Sequence, residues 1–330
     1  MQIKITNAGM LSTVQDLGRS SFLSQAVPVS GAMDRLSARI ANICLGNSEG
    51  DAVVEFTYGN ASFITGADVL IAYAGDGAVL QLDGMDLPVA KPLFVPENST
   101  VSLKQGTKGC RTYLAVAGGW EVKEVLGSKS TFLTAGFGGF EGRQLKAGDN
   151  LKSNLNLSTI AKNLFNRLVG EGLNIAEWGI AREFTYRDHA RAVRIMPGRE
   201  WDWFDALSRD DFFSTEYLIN VNSNRMGYNL DGLPVKRVNH TELLSTAVVP
   251  GTIQIPGDGH PILLMADAQT TGGYPRIGKV AAVDLDVCAQ LKPGDAIRFT
   301  PISVNEAEML YIEQELNFKK LAAVIKLKYT

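Results

Sequence analysis

Leu145-Lys146-Ala147-Gly148-Asp149 and Leu291-Lys292-Pro293-Gly294-Asp295 are two copies of one five-residue pattern, set about 150 residues apart. Each is followed by a segment of strand character, so each reads as a turn that delivers the chain into a strand. Upstream of each copy a run ends in Gly-Gly-aromatic: Leu114-Ala115-Val116-Ala117-Gly118-Gly119-Trp120 before the first, Thr270-Thr271-Gly272-Gly273-Tyr274 before the second. A further glycine follows each, Gly127 and Gly278. Matched order at that spacing points to two copies of one β-domain, because solenoid repeats have far shorter periods.

Outward from the repeat, 33 glycines and 12 prolines punctuate short apolar runs such as Val69-Leu70-Ile71-Ala72-Tyr73 and Pro261-Ile262-Leu263-Leu264-Met265. The texture is that of many short strands with tight turns, so the fold class is mainly β. Helical periodicity is confined to Asp34 to Leu45, Ser158 to Val169, and Asn305 to Glu315. The polar stretch from Lys152 to Asn163 closes the first copy, and Arg191-Ala192-Val193-Arg194-Ile195-Met196 opens the second. Domains over 1–185 and 186–330 follow, with an N-terminal crossover segment that has no counterpart in the second copy.

The 330 residues, 45% hydrophobic and 20% charged, suffice for two globular cores. A net charge of −3 from 32 basic and 35 acidic residues, without a long run of one sign, argues against nucleic acid and anionic membrane as partners. The segment Met1 to Gly9 lacks the apolar run of a signal peptide, and no stretch of about 18 apolar residues is available to span a bilayer, so a cytoplasmic location is expected. Cys44, Cys110 and Cys288 sit singly in apolar surroundings and read as buried thiols, and His189, His240 and His260 are far apart, so no metal site is expected.

Four polar, glycine-punctuated segments stand out as loops of a binding site: Thr13 to Arg19, Val27 to Asp34, Asn222 to Tyr228, and Met265 to Pro275. In the last, strand alternation places Asp267 and Gln269 on one face ahead of Gly272-Gly273, where backbone N–H groups approach a ligand closely. A carboxamide beside a carboxylate suits a ligand with adjacent N–H and C=O groups, as in urea, a lactam or the biotin ureido ring. A well-capped hairpin turn explains Thr270 to Pro275 equally. Capping of the following helix accounts for Ser30 and Asp34, and Arg225 reads either as a carboxylate fork or as one half of an ion pair. Gly136 to Gly142 does not fit the dinucleotide fingerprint, and Gly127-Ser128-Lys129-Ser130-Thr131 lacks the order of a phosphate loop. Trp201-Asp202-Trp203-Phe204 reads as packing at a domain edge.

Gln15-Asp16-Leu17-Gly18-Arg19, Val27 to Asp34, Ser223 to Tyr228, Pro250 to Gly259 and Ala266 to Pro275 resemble, in order, the motifs of the allophanate hydrolase subunit 2 (KipA) family. The resemblance runs from residue 9 to about 299 and implies two tandem cyclophilin-like β-barrel domains with a few short helices. It implies one component of a multi-subunit, ATP-dependent 5-oxoprolinase, which opens 5-oxo-L-proline to L-glutamate. The implied partners are an allophanate hydrolase subunit 1-like protein (KipI, the B component of such a 5-oxoprolinase) and a LamB/YcsF-type protein (its A component). ATP would be bound by or shared with a partner. Two other activities occur in the family: carboxyl transfer to urea or a similar amide from carboxybiotin carried by another protein, and KipA-type antagonism of a sporulation-kinase inhibitor.

On this resemblance Asp16, Asp34 and Asp267 are the candidate acids and bases, and Gln15, Ser30, Asn224, Arg225, Gln269, Thr270, Gly272, Gly273 and Tyr274 the candidate substrate contacts. Three positions depart from the family pattern: Ala268 stands in place of an expected arginine, Arg199 in place of proline, and Ser20-Ser21 in place of a glycine turn.

Overall fold

The computed structural model describes residues 1–106, 108–181, 184 and 192–329. The boundary expected near residue 185, the strand start at Arg191, and His189 lie outside the described residues. The chain divides into two compact units, both discontinuous: Met1–Arg19, Asp34–Arg187 and Phe318–Thr330 form the first, Ser20–Met33 and Asp188–Asn317 the second.

Strands of the first unit are β1 (Gln2–Ala8), β2 (Leu11–Gln15), β3 (Val53–Thr57), β4 (Ala61–Thr65), β5 (Val69–Ala74), β6 (Ala78–Leu82), β7 (Met85–Asp86), β8 (Leu93–Val95), β9 (Thr100–Gln105), β10 (Arg111–Val116), β11 (Asn150–Lys152) and β12 (Asn174–Ile175). They pair as two six-stranded sheets, β11-β1-β4-β9-β6-β7 and β12-β8-β5-β10-β3-β2. In the first sheet alternate residues point inward: Ile3 and Ile5, Ala61 and Phe63, Leu80 and Leu82, Val101 and Leu103. That is the period-2 pattern of a sheet with one wet face. The second sheet is apolar on both faces at its centre. Ile71, Tyr73, Leu114 and Val116 join the shared core, while helix α1 (Arg35–Cys44) packs over β5 and β10. Two-sided burial is why those runs do not alternate.

The second unit holds β13 (Ala192–Pro197), β14 (Glu216–Ile219), β15 (Gly227–Asp231), β16 (Thr246–Ala247), β17 (Thr252–Gln254), β18 (Ile262–Leu264), β19 (Thr271–Gly272), β20 (Arg276–Val280) and β21 (Ala296–Pro301). Seven of them close into a barrel in the order β13-β20-β17-β18-β15-β14-β21, sealed by the parallel pair β13 and β21. Closure removes the exposed edges an open sheet would leave. Ile195, Tyr217, Leu230, Ile253, Leu263 and Phe299 fill it, and Met33, from the early segment Ser20–Met33, packs into the same core.

The repeated pattern builds one turn twice. Gly148 and Gly294 take φ of +97° and +86°, a region that glycine enters without penalty. Gly148 N–H donates to the Ile5 carbonyl (2.8 Å) and Gly294 N–H to the Ile219 carbonyl (2.9 Å). Ile5 and Ile219 return a bond each to the carbonyls of Asp149 (2.8 Å) and Asp295 (2.9 Å). Each aspartate caps its own turn by accepting from the backbone of Lys146 (2.7 Å) or Lys292 (3.1 Å). The Gly-Gly-aromatic half of the repeat is not built alike. Gly118 and Gly119 have positive φ and Trp120 is fully buried, whereas Gly272 lies in β19 and Tyr274 is half exposed.

Further helices are α2 (Thr159–Leu168), α3 (Ala206–Ser214), α4 (Leu285–Gln290) and α5 (Val304–Tyr329). α1 and α2 fall where periodicity predicts, capped by the side chains of Asp34 and Ser158. α3 has no counterpart in the expectations: it buries only Ser208 and Phe212, too few positions to make an apolar stripe. α5 extends well beyond the expected Glu315 to 26 residues, because no glycine or proline interrupts the sequence from Val304 onward. Ser303 and Glu306 open it with a reciprocal capping box (3.0 and 3.2 Å).

Candidate functional site

Three loops of the second unit meet at one buried ion pair. β18 ends at Leu264, and the backbone turns so that Met265 N–H bonds to the Met226 carbonyl (3.0 Å) and Asp267 N–H to the Arg225 carbonyl (2.9 Å). Asn224 makes the opposing turn, its Oδ1 accepting from Met226 N–H (2.8 Å). The backbone thus aligns Arg225 with Asp267 before their side chains join. Arg225 Nε donates to Asp267 Oδ2 (2.8 Å) and Nη2 to Oδ1 (3.1 Å), with both side chains about 5% exposed.

The third loop is Ser30-Gly31. Ser30 adopts φ +57°, unusual for a residue with a Cβ, and is held there by its N–H on the Ala266 carbonyl (2.9 Å). Its Oγ donates to Asp267 Oδ1 (2.6 Å), and Arg225 Nη2 donates to the Gly31 carbonyl (2.6 Å). A buried charge pair offsets its desolvation only when its remaining hydrogen-bonding capacity is also used, and here three donors converge on one carboxylate. Ser30, Arg225 and Asp267, which the sequence marks separately, therefore lie together. Of the two readings open for Arg225, the ion pair is the one observed.

Beyond Asp267 the chain surfaces. Gln269, Thr271 and Gly273 are exposed, and Thr270 is buried with its carbonyl on Val248 N–H (2.9 Å). β19 pairs with β16, Thr246 opposite Gly272, so Thr270 to Pro275 is a supported hairpin arm. Asp267 and Gln269 do not share a face, contrary to the alternation argument: the strand stops at Leu264, and one side chain is buried while the other faces out. Gln269 Nε2 reaches Gln254 Oε1 at 3.4 Å, and Gln254, fully buried, lies against the backbone of Gly272 where a Cβ would come within 2.4 Å of its Nε2. Sequence reasoning misses Gln254 although it sits inside the Pro250 to Gly259 motif. Ala268 is buried with Val248 and Leu264, so an apolar cluster occupies the place of the expected arginine.

Beside this arm, Glu200 accepts two bonds from Arg276 (2.7 Å each) and one from its backbone (3.2 Å). Burial opposes charge on Glu200, but the Arg276 bonds outweigh it and hold the carboxyl below its ordinary range.

In the first unit Asp16 and Asp34 are also structural acceptors. Asp16 takes Ser128 Oγ (2.6 Å), Ser130 Oγ (2.5 Å), Gly18 N–H (2.7 Å) and Lys129 N–H (2.6 Å). The clamp on that carboxylate is Ser128-Lys129-Ser130, from the Gly127 to Thr131 segment that superficially resembles a phosphate loop. Asp34 caps α1 through Ser37 N–H (2.9 Å) and Ser37 Oγ (2.6 Å). Gln15 Nε2 donates to Thr13 Oγ1 (2.9 Å) and the Thr131 carbonyl (3.2 Å), and its buried Oε1 has no hydrogen-bond partner among the described residues. Glu55, buried in β3 opposite Thr13 and Tyr113, is a second residue that sequence reasoning misses. Burial, reinforced by the Glu55 and Asp34 carboxylates and opposed by Arg111, pushes the Tyr113 hydroxyl well above its ordinary range. A single glutamate within Val53-Val54-Glu55-Phe56 is the signal that marks Glu55.

All three cysteines are buried and unbridged, and burial pushes the thiols of Cys44 and Cys288 up. Among the described residues no group of three or more His, Cys, Asp or Glu side chains is placed to hold a metal ion, and no helix is long and apolar enough to cross a membrane.

Residues 25–301 match the family profile described as carboxyltransferase domain, subdomain A and B. The chain is 38% identical over 320 residues to the 5-oxoprolinase C subunit of Escherichia coli, covering 97% of both chains. It is 32% identical over 329 residues to the protein of the same name in Haemophilus influenzae, covering 98% of both. Its structure superposes on Kluyveromyces lactis urea carboxylase with a TM-score of 0.86 at 27% identity, covering 97% of this chain and 29% of that one.

Proposed function

The chain belongs to the carboxyltransferase domain (subdomain A and B) family, and from that premise we propose that it is the C subunit of an ATP-dependent 5-oxoprolinase, hydrolysing 5-oxo-L-proline to L-glutamate in complex with partner subunits. The observation that carries this reading is the end-to-end similarity to the 5-oxoprolinase C subunit of Escherichia coli, 38% identity over 97% of both chains. The proposed partners are an allophanate hydrolase subunit 1-like protein and a LamB/YcsF-type protein.

Nucleotide handling is assigned to a partner, because the glycine-rich segments of this chain do not fit a phosphate cradle. Ser128 to Ser130 clamps Asp16, and Gly142 closes on the Gly138 carbonyl (2.8 Å). The residues proposed to meet the lactam are those of the exposed arm: the Gln269 carboxamide for its N–H and C=O, the Gly272-Gly273 backbone for close approach, and the half-exposed Tyr274 as an apolar wall. Arg225, Asp267 and Ser30 hold that arm in place, so they are positioning residues, and Thr270 and Asn224 fix the turns on either side.

Replacing Gln269 by Ala in the assembled complex is expected to lower kcat/KM for ATP-dependent glutamate release about 100-fold, the scale of one lost preorganised contact, while the subunits still co-purify. An unchanged rate would remove the arm from the proposal. A second reading, carboxyl transfer from a carboxybiotin carried by another protein to a small amide, draws on the TM-score of 0.86 to urea carboxylase. The glutamate assay of the unmodified complex separates the two, since carboxyl transfer requires a biotinylated partner and yields no glutamate.

A further inference from the structure

Helix α5 carries two apolar faces. One is used: Ala307 and Leu310 pack with Ala281 and Val283 in the second unit. In the first unit Phe318 lies under the Arg39 guanidinium (3.9 Å) and Tyr329 against Trp178 (5.8 Å between ring centroids), with Ile325 buried between them in sequence. The other face holds Met309, Ile312, Leu316, Ala323 and Leu327, at intervals of three, four, seven and four residues. At about 100° per residue these positions fall opposite the buried side chains. Met309 is 65% exposed, Ile312 50%, Leu316 51% and Leu327 80%. The outward face of a surface helix is ordinarily polar, and isolated exposed apolar residues need no explanation, but a stripe in helical register does.

The charges beside the stripe are segregated. Glu306, Glu308, Glu313 and Glu315 precede or adjoin Leu316 with no lysine or arginine among them, and Lys319, Lys320, Lys326 and Lys328 follow it with no acid. Acid first and base last also suits the helix dipole, but the dipole does not call for an apolar stripe. A helix acidic at one end and basic at the other is complementary to itself turned end for end.

We propose that two copies of the chain associate through antiparallel α5 helices, related by a twofold axis level with residue 318. That register sets Met309 against Leu327, Ile312 against Ala323 and Leu316 against the aliphatic stem of Lys320. It also brings Glu308 to the flank of the seam that carries Lys326, and Glu313 to the flank that carries Lys320. An isologous pairing of this kind closes on itself and leaves no open end.

The test uses the full chain. Met309 and Leu327 are about 27 Å apart along one helix, too far for a disulfide within a molecule, and the three native cysteines are buried. The Met309→Cys/Leu327→Cys double variant is therefore expected to form a covalent dimer under mild oxidation, while either single variant stays largely without a covalent cross-link. In sedimentation equilibrium the unmodified chain is expected to dimerise, and Leu316→Glu, at an exposed position, to shift it to monomer with an unchanged circular dichroism spectrum. A monomeric unmodified chain at every concentration, a dimer that persists in Leu316→Glu, or cross-linking by Met309→Cys alone would each overturn the proposal.

Discussion

At the scale of the residue, the second unit places a charged pair where water is excluded. Asp267 receives Arg225 and Ser30, and Arg225 spans to the Gly31 carbonyl. Removing one partner of such a pair strands the other charge, so Asp267→Ala is expected to destabilise the protein by about 3–5 kcal/mol, measured by urea unfolding. A loss below about 1 kcal/mol would mean that Arg225 finds another anion or reaches water. Ser30, Arg225 and Asp267 are legible in the sequence as special residues because polar side chains set among glycines are poor core. Their mutual bonding is not legible, since Arg225 and Asp267 are 42 positions apart and sequence pattern reports faces rather than partners. Alternation misplaces Gln269 relative to Asp267 for a definite reason: it holds only inside a strand, and the strand ends at Leu264.

At the scale of the element, the two Gly-Asp turns are the clearest case of sequence dictating geometry. Both glycines have positive φ, and a Cβ on either would meet nothing within 4 Å. Gly148→Ala and Gly294→Ala should therefore cost the same, about 1–2 kcal/mol each, because only the backbone penalty remains. Unequal losses in urea unfolding, one near zero and the other well above 2 kcal/mol, would show that the turns differ in strain despite their matched bonds. The turn chemistry is readable because Gly-Asp at a strand entrance has few alternatives. α3 is not, since two buried positions in nine residues leave no period to find. The full length of α5 is readable only in part: its buried stripe persists, but an apolar stripe on the opposite side blurs the amphipathic signal.

At the scale of the whole molecule, the mainly β character follows from glycine and proline spacing, and the closed barrel of the second unit gives those short strands their partners. The chain's discontinuity is harder to see. Ser20–Met33 counts with the second unit and Phe318–Thr330 with the first, and neither assignment has a local signature, because a segment's own pattern does not say which core it joins. Motif order, by contrast, runs nearly end to end, and the functional reading stands on that order. Its central claim is tested most directly by incubating the chain, co-purified with its two proposed partners, with 5-oxo-L-proline and ATP, and measuring glutamate and ADP together. Equimolar glutamate and ADP, both absent when this chain is omitted, is the predicted result. An intact complex that releases no glutamate, while a biotinylated partner supports carboxylation of urea or another small amide, would contradict it.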